Sequence, residues 1–404
     1  IFTARSYIND NFYSRVLSDM SLNYKTMNMY DLNELSEDEI KRLVMLIRKY
    51  NIWGANLRQG QQKQIKFITS HCNKEMRNVL LEVYKSNNVQ SKINDIVKLV
   101  CKNELSKDIL LISFICNIIS VKIGLDDIAV ILGQRVNALY FDEYRELREL
   151  LLIQNNELRI KSSSVASYIV GNNDFNNDIL RLLNRMVGIF VKHTYVTKYK
   201  IMLKLIISFS NLRLAFNRND VDIKRKYINF YENARKTGYY KKNQFFWIQY
   251  AIAVMDVKDY DAAQIYLDNA SACAQKQYND DSYQVESLKA RLLLEKTIYN
   301  NDVENAYTNF EEAHNLICSN KTPERHYPFR QVSQYIKYYE AFYKGFSYEN
   351  KVAFMFMCTE IKKKMQEYLN KENPYERKNR RRSNEIKRIS EQIDIIINEM
   401  ANAD

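Results

Sequence analysis

Residues with the types and spacing that chemistry requires are thinly spread in this chain. Its four histidines, His71, His193, His314 and His326, stand far apart, so neither a zinc site nor a histidine-centred triad is predicted. His314, in Glu311-Glu312-Ala313-His314, reads as a helix-surface residue. Six cysteines (Cys72, Cys101, Cys116, Cys273, Cys318, Cys358) occur without a C-x-x-C, the pattern of buried, reduced thiols in a cytosolic protein. The eight glycines are too dispersed to build a phosphate-cradling loop, and G-x-x-x-x-G-K-[ST] does not occur. Carboxylate pairs such as Glu311-Glu312 and Asp280-Asp281 read as solvent-face or loop charges. The sequence therefore assigns this chain no catalytic residue, no metal ligand and no cofactor of its own.

Two features remain. The chain opens on Ile1-Phe2-Thr3-Ala4-Arg5, without an initiator methionine, which leads us to expect an upstream segment. Two apolar residues followed by a polar turn read as the end of a buried strand delivering Thr3 and Arg5 to its carboxyl end, the edge at which open α/β sheets bind ligands. The second feature is charge. Of a net +12, most falls in residues 177–245, where fifteen lysines and arginines face four acids. Lys224, Arg225, Lys226, Arg235, Lys236, Lys241 and Lys242 are its densest part. Interleaved aromatics (Phe190, Tyr195, Tyr199, Phe209, Phe216, Tyr227, Phe230, Tyr231, Tyr239, Tyr240) would suit a single-stranded nucleic acid. The preferred reading makes them helical core beneath a solvated cationic face, which could equally receive an acidic protein partner.

The elements that must position these residues are mostly helices. Only 8 glycines and 3 prolines punctuate 404 residues, which predicts a mainly α protein with short connections. The longest apolar run, Ile109 to Val121, is too short to span a bilayer. Ser36 with Glu39 marks a helix start carrying Ile40, Leu43, Val44 and Ile47 on one face, and Asn51-Ile52-Trp53-Gly54 closes it. Further helices are expected over Phe67–Val83 and Ile93–Val100. Residues 106–172 then read as a winged helix: an apolar helix, a short helix to Gly133, a third helix to about Ile153, a turn at Asn155-Asn156 and a strand at Leu158-Arg159-Ile160. Its third helix carries Asp142, Glu143, Glu146 and Glu149, so phosphate would repel it and a structural role is expected.

From residue 177 to 370 the pattern is helices in pairs. Trp247, Tyr250, Ala251, Val254, Ala263, Leu267 and Ala270 follow the spacing of a tetratricopeptide-like repeat. Ala290, Leu294, Thr297, Ala306, Phe310 and Ala313 repeat it 43 residues later, with an insertion expected around Tyr278–Tyr283. A basic C-terminal helix over 371–404 carries Ile386, Ile389, Ile393 and Ile396 behind Arg377-Lys378 and Arg380-Arg381-Arg382.

The order of these parts resembles the C-terminal side of a bacterial STAND ATPase, the signal-transduction ATPases that include NLR-like and antiviral sensors. Thr3-Ala4-Arg5 matches the family's Thr-x-Arg sensor motif. Leu32-Asn33-Glu34-Leu35-Ser36-Glu37-Asp38-Glu39 matches the start of its helical lid, and Trp53-Gly54 resembles a trailing Trp-Gly. The resemblance implies a nucleotide-binding edge at 1–30, a lid over 31–105, the winged helix and then a repeat sensor. It also implies ATP with Mg²⁺ in a longer parent protein, a protein trigger or ligand on the repeats, self-oligomerisation, a cytoplasmic location and no membrane. Where many relatives carry a histidine in the winged helix, this chain has Lys161-Ser162-Ser163-Ser164, so Lys161 or Ser162 is the expected nucleotide contact. A plain helical scaffold and a nucleic-acid binder are the alternatives.

Overall fold

A computed structural model describes residues 34–53, 59–84, 86–276, 283–318, 327–371 and 380–402. Scarcity of helix breakers has the predicted result: the protein is mainly helical, with one small three-stranded sheet among the described residues. The described chain divides into two compact units, one within Met29–Lys241 and one within Lys242–Asp404.

In the first unit α1 (Glu37–Lys49) begins at Ser36, whose hydroxyl accepts from the Glu39 amide while the Glu39 carboxylate accepts from the Ser36 amide at 2.8 Å. This reciprocal cap satisfies two amides that a helix start leaves without partners. α2 (Gln61–Ser70), α3 (Met76–Tyr84) and α4 (Asn87–Val100) complete a bundle. The single stretch expected over Phe67–Val83 is two helices, because the chain turns at Asn73 and Lys74, both with positive φ, and Lys74 accepts from the Leu35 amide at 2.8 Å. Leu35, Ile40, Val44, Ile47, Trp53, Ile68, Cys72, Val79 and Val83 form the core here. Trp53 is 2 % exposed and meets Phe67 edge-on.

Next comes α5 (Glu104–Ile118), buried without interruption from Asp108 to Cys116. It is followed by β1 (Ile123–Gly124), α6 (Leu125–Leu132), α7 (Ala138–Glu143), α8 (Arg145–Leu150), β2 (Leu151–Gln154) and β3 (Glu157–Ile160). The strands are antiparallel in the order β1-β3-β2, which with the preceding helices is the topology of a winged helix. Asn155 and Asn156, with φ of 53° and 60°, form the two-residue turn. The third helix differs from expectation. It breaks at Tyr144 and ends at Leu150, because Leu151 and Ile153 pair with Ile160 and Leu158 across the hairpin.

α9 (Ser163–Asn172), α10 (Asn176–Phe190), α11 (Thr197–Ile206), α12 (Phe209–Ala215) and α13 (Ile223–Lys236) follow. α10 packs on α5 and α13. Residues 176–236 thus share a unit with the winged helix, whereas the sequence pattern places them at the head of the repeats.

The second unit holds α14 (Gln244–Asp256), α15 (Tyr260–Lys276), α16 (Tyr283–Asn300), α17 (Ala306–Cys318), α18 (Tyr327–Gln331), α19 (Ser333–Phe342), α20 (Tyr348–Lys371) and α21 (Arg380–Ala401). α14 pairs with α15 and α16 with α17. Ala251, Ala263, Ala270, Ala290, Ala306 and Ala313 are fully buried, so the small residues lie where helices cross. Trp247 is 8 % exposed. The expected insertion lies outside the described residues apart from Tyr283, which opens α16. The C-terminal helix joins this unit's core through Ile386, Ile389, Ile393, Ile396 and Met400, beside Phe354 and Ile361. Arg377 and Lys378 lie outside the described residues.

Candidate functional site

Thr3 and Arg5 lie outside the described residues. Lys161 and Ser162 form the junction between β3 and α9. The Lys161 amide donates to Leu150 at 3.0 Å, which leaves its side chain exposed at the end of the wing. Ser162 caps α9, its hydroxyl accepting from the Val165 amide at 3.3 Å. Ser163 beside it reaches back to Asn117 on α5 at 3.2 Å. The junction therefore presents one cation above a helix start whose amides are partly capped.

Charged groups that look solvated in the sequence are used inside the first unit as clips between helices. Arg181 on α10 grips Asp108 on α5 with both terminal nitrogens, at 2.5 and 3.1 Å, and also meets Asp178. The Asp108 carboxylate holds the guanidinium pKa above its ordinary value. Asp127 on α6 accepts from the Tyr199 hydroxyl at 3.1 Å, from the Gly124 amide and from Lys198. Burial, then Asp127, push the Tyr199 phenol up to about 12. None of these long-range partners has a sequence-local signature.

On α13, Tyr227, Phe230, Tyr231 and Ala234 face inward. Lys224, Arg225, Arg235 and Lys236 lie exposed, Arg225 and Lys236 opposite that inward face and Lys224 and Arg235 on its flank. Eleven residues bring Lys224 and Arg235 nearly into line, about 16 Å apart along the axis. Glu232 interrupts the row and bonds Arg235 at 2.5 Å. Lys226 is turned away and held by Asp220 at 2.7 Å. Lys241 is exposed just past the helix, and Lys242 is the first residue of the second unit. Of the ten interleaved aromatics only Tyr195 and Tyr239 are exposed, and the other eight are core. The face is cationic without a stacking platform.

Two features of the second unit were not foreseen. Tyr348, Val352 and Phe356, exposed at 72, 42 and 69 %, form an apolar stripe at four-residue spacing on α20. Val352 and Phe356 line a groove with Tyr307, Glu311 and Glu349. The surface position expected for His314 is corrected: it is 2 % exposed, because Phe310, Ala313, His314 and Ile317 form the inward face of α17.

Among the described residues no helix is long and apolar enough to cross a membrane. No protein-family model, curated protein or solved structure matches the chain.

Proposed function

We propose that the chain is the regulatory and sensor part of a STAND-type signal-transduction ATPase that works in the cytoplasm in antiphage defence or signalling. One observation carries this reading: in chain order, a winged helix of strand order β1-β3-β2 follows a capped helical bundle and precedes an array of helix pairs. In this reading ATP with Mg²⁺ is held by a P-loop domain ahead of Ile1, where Thr3 and Arg5 sense the terminal phosphate. The bundle acts as lid, and the wing brings Lys161 to the nucleotide. A protein trigger docks on the helices beyond residue 176. The cationic face of α13 in the first unit offers complementary charge to an acidic partner; the stripe on α20 in the second unit is a separate apolar surface. Trigger binding then favours an open, self-associating state, a shift between two packings.

The decisive test reads the coding sequence ahead of Ile1. A P-loop lysine within about one domain's length is expected; without it the nucleotide role fails and a helical interaction scaffold remains. In the longer protein, Lys161→Ala is expected to lower retained nucleotide by about tenfold, measured by chromatography of heat-released nucleotide. The nucleic-acid alternative lacks its aromatic half. Oligonucleotide binding at low salt that falls steeply with added salt would restore it.

A further inference from the structure

His314 and Cys318 are four residues apart on α17, so both side chains leave the same face of one helix. Glu360 reaches them from α20. His314 Nε2 lies 3.4 Å from Cys318 Sγ and 3.4 Å from Glu360 Oε2, and all three donor atoms fall within 4.8 Å of one another. In a tetrahedral zinc site, bond lengths of about 2.0 to 2.3 Å place neighbouring nitrogen, sulfur and oxygen ligands about 3.3 to 3.6 Å apart. The nitrogen-to-sulfur and nitrogen-to-oxygen separations are therefore already those of two edges of such a site.

We propose that His314, Cys318 and Glu360 bind one divalent transition-metal ion of the zinc class, fastening α17 to α20.

The surroundings suit a ligand set. His314 Nδ1 is 3.0 Å from the buried Tyr335 hydroxyl on α19. With Nδ1–H donating to the phenol oxygen, the Nε2 lone pair faces Cys318 and Glu360, the outer-shell arrangement that orients metal-binding histidines. A cysteine–histidine nucleophile is disfavoured because Nε2, the atom facing the sulfur, also meets the Glu360 carboxylate.

Lys364, one turn beyond Glu360, places Nζ 2.9 Å from Glu360 Oε1. It leaves Oε2 to the histidine. A lysine here competes with a metal electrostatically, yet its side chain is 37 % exposed and can turn to solvent. Three protein ligands leave the fourth position to water. Binding forms a metal–sulfur bond and releases the thiol proton. A second compact donor cluster among the described residues, Glu104, Asp108 and Asp178, is neutralised by Arg181 and Lys107 and is an ion-pair network.

Chelator-treated protein titrated with Co²⁺ tests the site. One equivalent per chain is expected, with a thiolate-to-cobalt charge-transfer absorption that Zn²⁺ abolishes. Cys318→Ser removes the band, Glu360→Gln weakens Zn²⁺ at least tenfold, and Lys364→Met tightens it severalfold. Cys101→Ser, the control thiol, leaves the band intact. Circular dichroism checks that each variant is folded; Cys318 and Glu360 are only half-buried, which favours retention of the fold. The proposal is overturned by the lack of a stoichiometric band, by a band that survives Cys318→Ser, or by Zn²⁺ affinity indifferent to both Glu360→Gln and Lys364→Met.

Discussion

Asp220 shows how a single side chain ties distant segments. Its carboxylate accepts from Lys226 at 2.7 Å, from the Asn176 amide group at 2.7 Å and from the Asp222 backbone at 2.9 Å. Asn176 in turn bonds both the amide and the carbonyl of Asn217, which fastens the start of α10 to the approach to α13. Lys226 and Asn176, in that order, lower the Asp220 pKa to about 2, from 3.8. A depressed folded-state value means stability that is fully present above pH 3.8 and is lost as pH falls through about 2. The side chain keeps 16 % of its surface in solvent, so the contribution is partly screened, and Asp220→Ala is expected to cost roughly 1–2 kcal/mol at neutral pH. The deficit relative to the parent should shrink as pH falls from 4 toward 2. Urea titrations of both proteins across that range check it, and a deficit that does not change with pH would sink the account.

Helix crossings place the next constraint. Ala306 and Ala313 are fully buried on α17, beside Phe310, which meets Tyr335 edge-on and Tyr338 and Phe354 at a tilt. Ala313→Leu is expected to cost about 1–3 kcal/mol by overpacking. Phe356→Ser on the exposed stripe of α20 should stay within about 0.5 kcal/mol. Thermal unfolding of the two variants separates these outcomes, and equal effects would mean the crossing is not tightly packed. The alanine spacing made this pairing legible in the sequence, because only small residues let helices approach so closely. The Ser36–Glu39 cap and the Asn155-Asn156 turn were legible for the same reason: local chemistry dictates them. The break at Tyr144 was not, since no proline or glycine marks it and its phenol is held by Asn103, 41 residues away. His314 was misread from its acidic neighbours. Phe310, Ala313, His314 and Ile317 already stand at inward helical spacing, and that periodicity would have placed it in the core. Its partner Glu360, 46 residues on, carries no such signal.

At the scale of the molecule, each unit encloses its own apolar core. The second gathers helices from α16 to α21 around Phe310, Tyr335, Tyr338, Phe354 and Ile386. A chain of residues 242–404 is therefore expected to fold alone, with helical circular dichroism and cooperative melting. A non-cooperative melt would show that this core depends on the rest of the chain. The protein's two tryptophans fall one to each unit, Trp53 in the first and Trp247 in the second, both nearly excluded from solvent. Each unit thus owns a single indole fluorophore. Replacing either by phenylalanine leaves an emission spectrum that belongs to the other alone, so the unfolding of the first unit and that of the second can be followed separately in one intact chain.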